Sequence, residues 1–229
     1  MKFTEGYWEK SERANASHAM QAFIVEEIPN GMQIVAPFHI ITDRSGALDV
    51  GTITIEFTAI RKDVISVRSW HFEGYQRKEP RFELNKDMQD VDVEIIDEKA
   101  IMTAGRMQVC VDRKDFKIEY KADGKVLTTC GFRNIGYMQY DRSNSTKFPE
   151  SNYMYSEYTP YMNTELSLAP GECVYGMGER FTSFVKNGQV VDCWNEDGGT
   201  ASQISYKNIP FYMTNKNYGI LVEDRKSVV

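Results

Sequence analysis

The stretch Thr52-Ile53-Thr54-Ile55-Glu56-Phe57-Thr58 decides the fold. Its apolar residues, Ile53, Ile55 and Phe57, fall on every second position, and the residues between them are polar. A period of two is the signature of a strand with one buried and one solvated face. Lys62-Asp63 reads as a turn, and Val64 to Phe72 as the next strand, with Ile65, Val67, Trp70 and Phe72 supplying its apolar surface. The alternation returns at Met107, Val109 and Val111, and again at Phe116, Ile118 and Tyr120. Asp123-Gly124 is a hairpin signal because glycine accepts positive φ at no steric cost, and Asn187-Gly188 is a second one. The polar, tyrosine-rich stretch from Tyr140 to Asn163 predicts a long surface excursion, with strands resuming at Leu166. No segment shows a long amphipathic helix, and no repeat occurs at a solenoid period. Short strands with regular turn signals predict an all-β chain folded as an antiparallel β-sandwich.

At 229 residues the chain suffices for one large or two small domains. A hydrophobic content of 41% and a charged content of 26% suit a globular protein with a sizeable core. The net charge of −6, without a basic stripe, argues against a nucleic-acid partner. No apolar run approaches the ~20 residues of a membrane helix, so no membrane partner is expected. Met1-Lys2-Phe3-Thr4-Glu5-Gly6 has no apolar core behind its lysine and does not read as a secretory signal. Cys110, Cys130, Cys173 and Cys193 are widely spaced and form no CxxC pair. They read as reduced thiols of a cytoplasmic protein. His18, His39 and His71 lie far apart without acidic or thiol ligand spacing, so no metal site is expected. His71, beside a strand tryptophan, reads as a packed or edge residue. Gly176-Met177-Gly178 lacks the third glycine and the βαβ context of a phosphate loop, and no cofactor is expected.

The last quarter of the chain carries the most specific signal. It contains Val174-Tyr175-Gly176-Met177-Gly178-Glu179-Arg180-Phe181 and then Trp194-Asn195-Glu196-Asp197-Gly198-Gly199-Thr200. Tyr206-Lys207-Asn208-Ile209-Pro210-Phe211-Tyr212-Met213-Thr214-Asn215 and Tyr218-Gly219-Ile220-Leu221-Val222 follow. These runs, in this order, resemble the end of the N-terminal domain of glycoside hydrolase family 31, in its bacterial α-xylosidase branch. Val67-Arg68-Ser69-Trp70-His71-Phe72 looks like that domain's central strand, and the match elsewhere is loose. The resemblance implies a galactose mutarotase-like β-sandwich over residues 1–223, placed ahead of a catalytic (β/α)8 barrel. The final residues, Asp224-Arg225-Lys226-Ser227-Val228-Val229, do not continue the pattern. They back-translate as GAT CGG AAG AGC GTC GTG, a common sequencing adapter. The expectation is that 224–229 are read-through from a DNA fragment that ends before the barrel.

The resemblance also implies what the residues do. Retaining glycosidases hold two carboxyl groups about 5–5.5 Å apart across the scissile bond. In family 31 both are barrel aspartates, so no catalytic residue is expected in this chain. Asp197 is the expected substrate-binding residue, its carboxylate accepting charge-assisted bonds from sugar hydroxyls. Gly198 and Gly199 would let that segment approach a ligand closely. Read from chemistry alone, Asp-Gly-Gly is a surface turn, and the matching motif around it reverses that reading. Trp194 reads equally as a platform for a sugar ring and as a strand-end core residue. Phe211, with Tyr212, would pack the base of the segment. Glu179 and Arg180 read as an ion pair or interdomain contact.

The implied parent removes terminal α-linked xylose from oligosaccharides by a retaining, cofactor-free mechanism. The alternatives are an α-glucosidase of the same family and a stand-alone carbohydrate-binding sandwich. The implied partners are an oligosaccharide and the chain's own missing barrel, and a homo-oligomer is left open. The 229-residue chain alone should be inactive, and it should expose the apolar face that meets the barrel.

Overall fold

A computed structural model describes residues 4–5, 9–74, 85–141, 158–193, 195 and 205–223. These fall into two compact units, one holding the described residues before Leu168 and the other those from Leu168 onward.

The larger unit opens with a two-stranded ribbon, β1 (Thr4–Glu5) and β2 (Glu9–Lys10), followed by β3 (Ala14–His18). Next come β4 (Ile24–Ile28), β5 (Gly31–Pro37), β6 (Thr52–Arg61) and β7 (Val64–Trp70), a four-stranded antiparallel sheet in chain order. A second meander contains β8 (Asp92–Ile95), β9 (Lys99–Ala104), β10 (Met107–Asp112), β11 (Lys117–Ala122) and β12 (Lys125–Cys130). The strands β13 (Ile135–Asp141) and β14 (Tyr158–Thr164) join β3 in a three-stranded sheet with β13 at its centre. The only helix among the described residues is the 3-10 turn Ser45–Ala47.

Short turns explain why neighbours in sequence are neighbours in the sheet. Asp63 takes φ of 59° between β6 and β7, and Asp123 and Gly124 take 48° and 74° between β11 and β12. Two successive positive φ angles make a type I′ turn, whose twist matches that of the flanking strands. Register then aligns the buried faces. Met32, Ile34 and Ala36 of β5 sit opposite Phe57, Ile55 and Ile53 of β6. In the second meander, Ala100 and Met102 sit opposite Val111 and Val109. All ten are buried in one cluster with Phe116 and Ile118. Phe57 and Tyr120 meet across it with ring centroids 6.4 Å apart. This is the apolar core of a sandwich, and fully burying a side chain such as Phe57 contributes about 1.5–3 kcal/mol. The sequence is thus all-β and antiparallel, as its alternation predicts.

Three local expectations need correction. In β7, Ile65 packs on the core, but Val67 is half-exposed. Trp70 lies on the opposite face, paired with Thr54 and stacked under the Arg68 guanidinium at 4.5 Å. Phe72 lies past the strand end and is 84% exposed. Strand parity explains this, because Val67 and Trp70 differ by an odd number and cannot share a face. Second, Tyr158–Thr164 is a strand, paired residue for residue with β13. Its Pro160 is tolerated because β14 is an edge strand. Residues 142–157 of the expected surface excursion lie outside the described residues. Third, Asn187-Gly188 forms a turn, with Gln189 N–H donating to Lys186 O and Gly188 at φ 75°, but no strand flanks it. It is an isolated turn and closes no hairpin.

His71 is packed, as its setting suggests. Its Nδ1 lies 2.7 Å from Thr52 O, and its ring sits between Phe38 and Tyr137 at 5.2 and 4.4 Å. The four cysteines form no disulfide. Burial pushes the Cys130 thiol up to about 12. No helix among the described residues is long and apolar enough to cross a membrane.

Candidate functional site

The smaller unit is built on three antiparallel strands, β15 (Val174–Gly176), β16 (Phe211–Thr214) and β17 (Gly219–Leu221). Its buried apolar cluster is small: Met177, Val191 and Cys193, with Tyr212 packed against it. Glycines let the backbone close in where side chains would not fit. Gly176, Met177 and Gly178 take φ of 122°, 69° and 84° in succession. A Cβ on Gly178 would lie 2.1 Å from Lys207 O, and one on Gly176 2.6 Å from Phe211 O. The 175–179 backbone therefore lies directly on 207–211. Met177 N–H donates to Phe211 O at 2.9 Å, and Glu179 N–H to Lys207 O at 3.1 Å.

Polar side chains supply much of the remaining structure. Asn187 Oδ1 accepts from Val174 N–H at 2.8 Å, and its Nδ2 donates to Glu172 O at 2.9 Å. Asn215 accepts from Cys173 N–H and donates to Gly171 O, both at 3.0 Å. The buried Lys186 ammonium donates to Thr182 Oγ1 and Ser183 O, and burial followed by the Arg180 charge holds its pKa below the usual lysine value. Burial pushes Glu172 upward, but hydrogen bonds from Tyr218, the Ala169 N–H and Thr214 outweigh it and leave the carboxyl below its ordinary pKa.

Arg180 sits at the centre of a second network. Its Nε donates to Met177 O at 3.0 Å, and its Nη2 to Asp192 O at 2.7 Å and to Asn208 Oδ1. Asn208 Nδ2 donates to Asn195 Oδ1 at 3.0 Å and Ser205 O at 2.9 Å. The Asn208 N–H also donates to Asn195 Oδ1, at 2.9 Å. Asn195 and Ser205 pair directly in a parallel bridge. Ser205 Oγ donates to Glu179 O and accepts from Lys207 N–H. Asn195 and Ser205 are thus both bonded to Asn208.

Trp194, Asp197, Gly198 and Gly199 lie outside the described residues. Phe211 is on β16, opposite Leu221. Its ring covers Gly219, where a Cβ would lie 2.8 Å from the Phe211 Cζ. Glu179 pairs with Lys207 at 3.3 Å on an exposed surface, and Arg180 is bonded to backbone carbonyls and to Asn208 within its own unit. Asn195, Ser205 and Asn208 carry the geometry and were not singled out by sequence. Side-chain amides show no periodicity, so only their position inside the last-quarter runs pointed toward them. No group of three or more His, Cys, Asp or Glu residues able to hold a metal occurs among the described residues.

Facing antiparallel sheets around one apolar core, followed by a glycine-rich three-stranded unit, define a sandwich of the galactose mutarotase-like class. The model of the "glycosyl hydrolase 31 N-terminal galactose mutarotase-like domain" matches residues 54–225. The chain belongs to that family. Over all of its 229 residues it is 34% identical to the alpha-xylosidase XylQ of Lactiplantibacillus pentosus, and it covers 28% of that protein. An alpha-xylosidase of Emericella nidulans is 34% identical over 97% of the chain, which covers 29% of that relative. The chain thus spans less than a third of the length of these curated relatives. A solved GH31 dextranase of Flavobacterium johnsoniae, complexed with glucose, matches 90% of the chain over 22% of its own, with a TM-score of 0.64 and 15% identity. At that identity the likeness bears on the fold.

Proposed function

We propose that this chain is the N-terminal, substrate-segment-bearing part of a retaining α-xylosidase. The parent polypeptide hydrolyses terminal α-linked xylose from oligosaccharides, with its nucleophile and acid/base on a barrel that follows residue 223. The observation that carries this reading is the 34% identity to two alpha-xylosidases along essentially the whole chain. In the parent, Asp197 hydrogen-bonds the sugar on the leaving-group side, Trp194 offers its ring to a sugar face, and Gly198 and Gly199 allow the approach. The parallel bridge between Asn195 and Ser205, the described residues on either side of 196–204, supports this reading of the segment. Phe211 supports its base from β16. Residues 224–229 are adapter read-through in this proposal, and the enzyme works in the cytoplasm, with oligomer assembly as a role for the sandwich surface.

The test is to recover the source DNA past the codon for Glu223, express the full-length protein and assay p-nitrophenyl α-xyloside against p-nitrophenyl α-glucoside. The expected result is a continuous frame and hydrolysis that favours the xyloside, with the 229-residue chain inactive. Preference for the glucoside would make the parent an α-glucosidase of the same family. A genuine stop codon after Val229, with oligosaccharide binding by the chain itself, would replace the enzyme with a stand-alone binding module.

A further inference from the structure

We infer that the exposed face of the β15–β16–β17 sheet, with the 181–185 turn beside it, is the docking surface for the polypeptide that follows residue 223 in the parent. This rests on the proposed reading in which a barrel follows. Register decides which residues share the face. Tyr175 sits opposite Met213, and Phe211 opposite Leu221, so these four side chains lie on one side of the sheet. Tyr212 lies on the other side, packed against the buried Met177, Val191 and Cys193. The first side has no such cover among the described residues: Met213 is 53% exposed, and Phe211 and Leu221 are exposed as well. Phe184, 80% exposed, extends the face, with its ring centroid 5.3 Å from that of Tyr175.

The turn that carries Phe184 is held from within. The Lys186 ammonium is buried and donates to Thr182 Oγ1 at 2.9 Å and to Ser183 O at 2.7 Å. Gln189 Nε2 donates to Val185 O at 2.6 Å, and the Lys186 N–H ties the turn to Val174 O of β15 at 2.8 Å. A phenylalanine on a turn fixed in this way loses little conformational entropy when a partner covers it. Contiguous exposed apolar side chains mark an interaction site. The occupant follows from the place of the chain in its relatives. The matched domain is N-terminal, and the chain covers 28% of XylQ, so most of such a polypeptide comes after it. The strand β17 is at the edge of the sheet, and its last residue, Leu221, belongs to the face, so the continuing chain departs beside it. An oligosaccharide fits this face less well. Its hydroxyls would lie against Met213 and Leu221, and a hydroxyl buried without a partner costs free energy.

The experiment is hydroxyl-radical footprinting of the 229-residue chain beside the full-length protein. Oxidation at Tyr175, Phe184 and Met213 should be high in the chain. It should fall several-fold in the full-length protein, to an extent independent of concentration. In the full-length protein, the double variant Phe184→Asp, Met213→Lys should return oxidation at Phe211 and Leu221 toward the level in the chain, with β5 and β6 peptides unchanged. If that variant does not fold, the wild-type comparison decides alone. Equal oxidation of the chain and of a full-length protein that hydrolyses p-nitrophenyl α-xyloside overturns the docking surface and leaves the proposed function standing. Low oxidation of Phe211 and Leu221 in a folded double variant overturns it as well. Protection already present in the 229-residue chain also overturns it, because the cover then belongs to the chain itself. Protection that grows with concentration assigns the face to a second copy instead. A genuine stop codon after Val229 removes the occupant, and this inference falls together with the proposed function.

Discussion

In the larger unit, Met32, Ile34, Ile53, Ile55 and Phe57 are fully buried and cluster with Met102, Val109, Val111 and Ile118. The smaller unit buries only Met177, Val191 and Cys193 as apolar residues among those described, and it relies on Arg180, Asn187, Asn195, Asn208 and Asn215 to bridge its segments. The first mode is non-directional and scales with the area removed from water. The second is directional, and each bond contributes roughly 0.5–1.5 kcal/mol only while both partners are present. A sandwich held by area tolerates changes of shape and resists loss of volume. A unit held by amides tolerates exposure of its apolar residues, such as Phe184 and Met213, and fails at single atoms. The larger unit therefore answers to lost volume and the smaller one to the loss of single bonds.

The largest effect is expected in the core of the larger unit. Phe57→Ala should cost about 3–5 kcal/mol and lower the urea midpoint of the larger unit, read by hydrogen exchange in β5 and β6. Gly178→Ala tests the smaller unit, since its Cβ would fall 2.1 Å from Lys207 O at a φ of 84°. A loss of about 3 kcal/mol is expected, confined to exchange in β15 and β16. Asn187→Ala leaves Val174 N–H and Glu172 O without their amide partner and should cost about 1–2 kcal/mol in thermal unfolding of the same unit. Asn187→Asp should keep the bond from Val174 N–H but set a carboxylate oxygen against Glu172 O, giving a loss at least as large.

The smallest effect is electrostatic and belongs to the larger unit. Hydrogen bonds from Lys117, at 2.7 Å, and Lys121, at 2.8 Å, lower the Glu119 carboxyl to about 2. A carboxyl whose pKa falls on folding stabilises fully above its unfolded value of about 4.3, and that stability disappears as pH falls toward 2. Because Lys117 is half-exposed, solvent screening should keep the contribution below about 1 kcal/mol. Glu119→Gln should flatten the acid limb of the stability profile between pH 4.5 and pH 2 by that amount. An unaltered limb would remove this pair from the account.

What was legible in the sequence was what local rules write there. The alternation at Ile53, Ile55 and Phe57 and the Asp123-Gly124 turn each depend on a few adjacent residues, and both formed as read. The β14 strand was hidden because Pro160 contradicts a strand until its place at a sheet edge is known. Val67 and Phe72 are apolar in composition, but their exposure depends on what packs above them. The last-quarter runs identified the family without revealing how they are held. Asn208 meets Asn195 and Arg180 across 13 and 28 residues of chain, and no local pattern marks such a pairing. Directional networks of this kind become visible only when the fold has brought their members together.

The most direct measurement is the KM of full-length Asp197→Ala for a xylosyl oligosaccharide, beside the thermal midpoint of the same substitution in the 229-residue chain. A KM raised about tenfold or more is expected, the worth of a lost charge-assisted bond, with the midpoint unchanged. An unchanged KM would contradict it, because Asp197 would then take no part in binding the sugar.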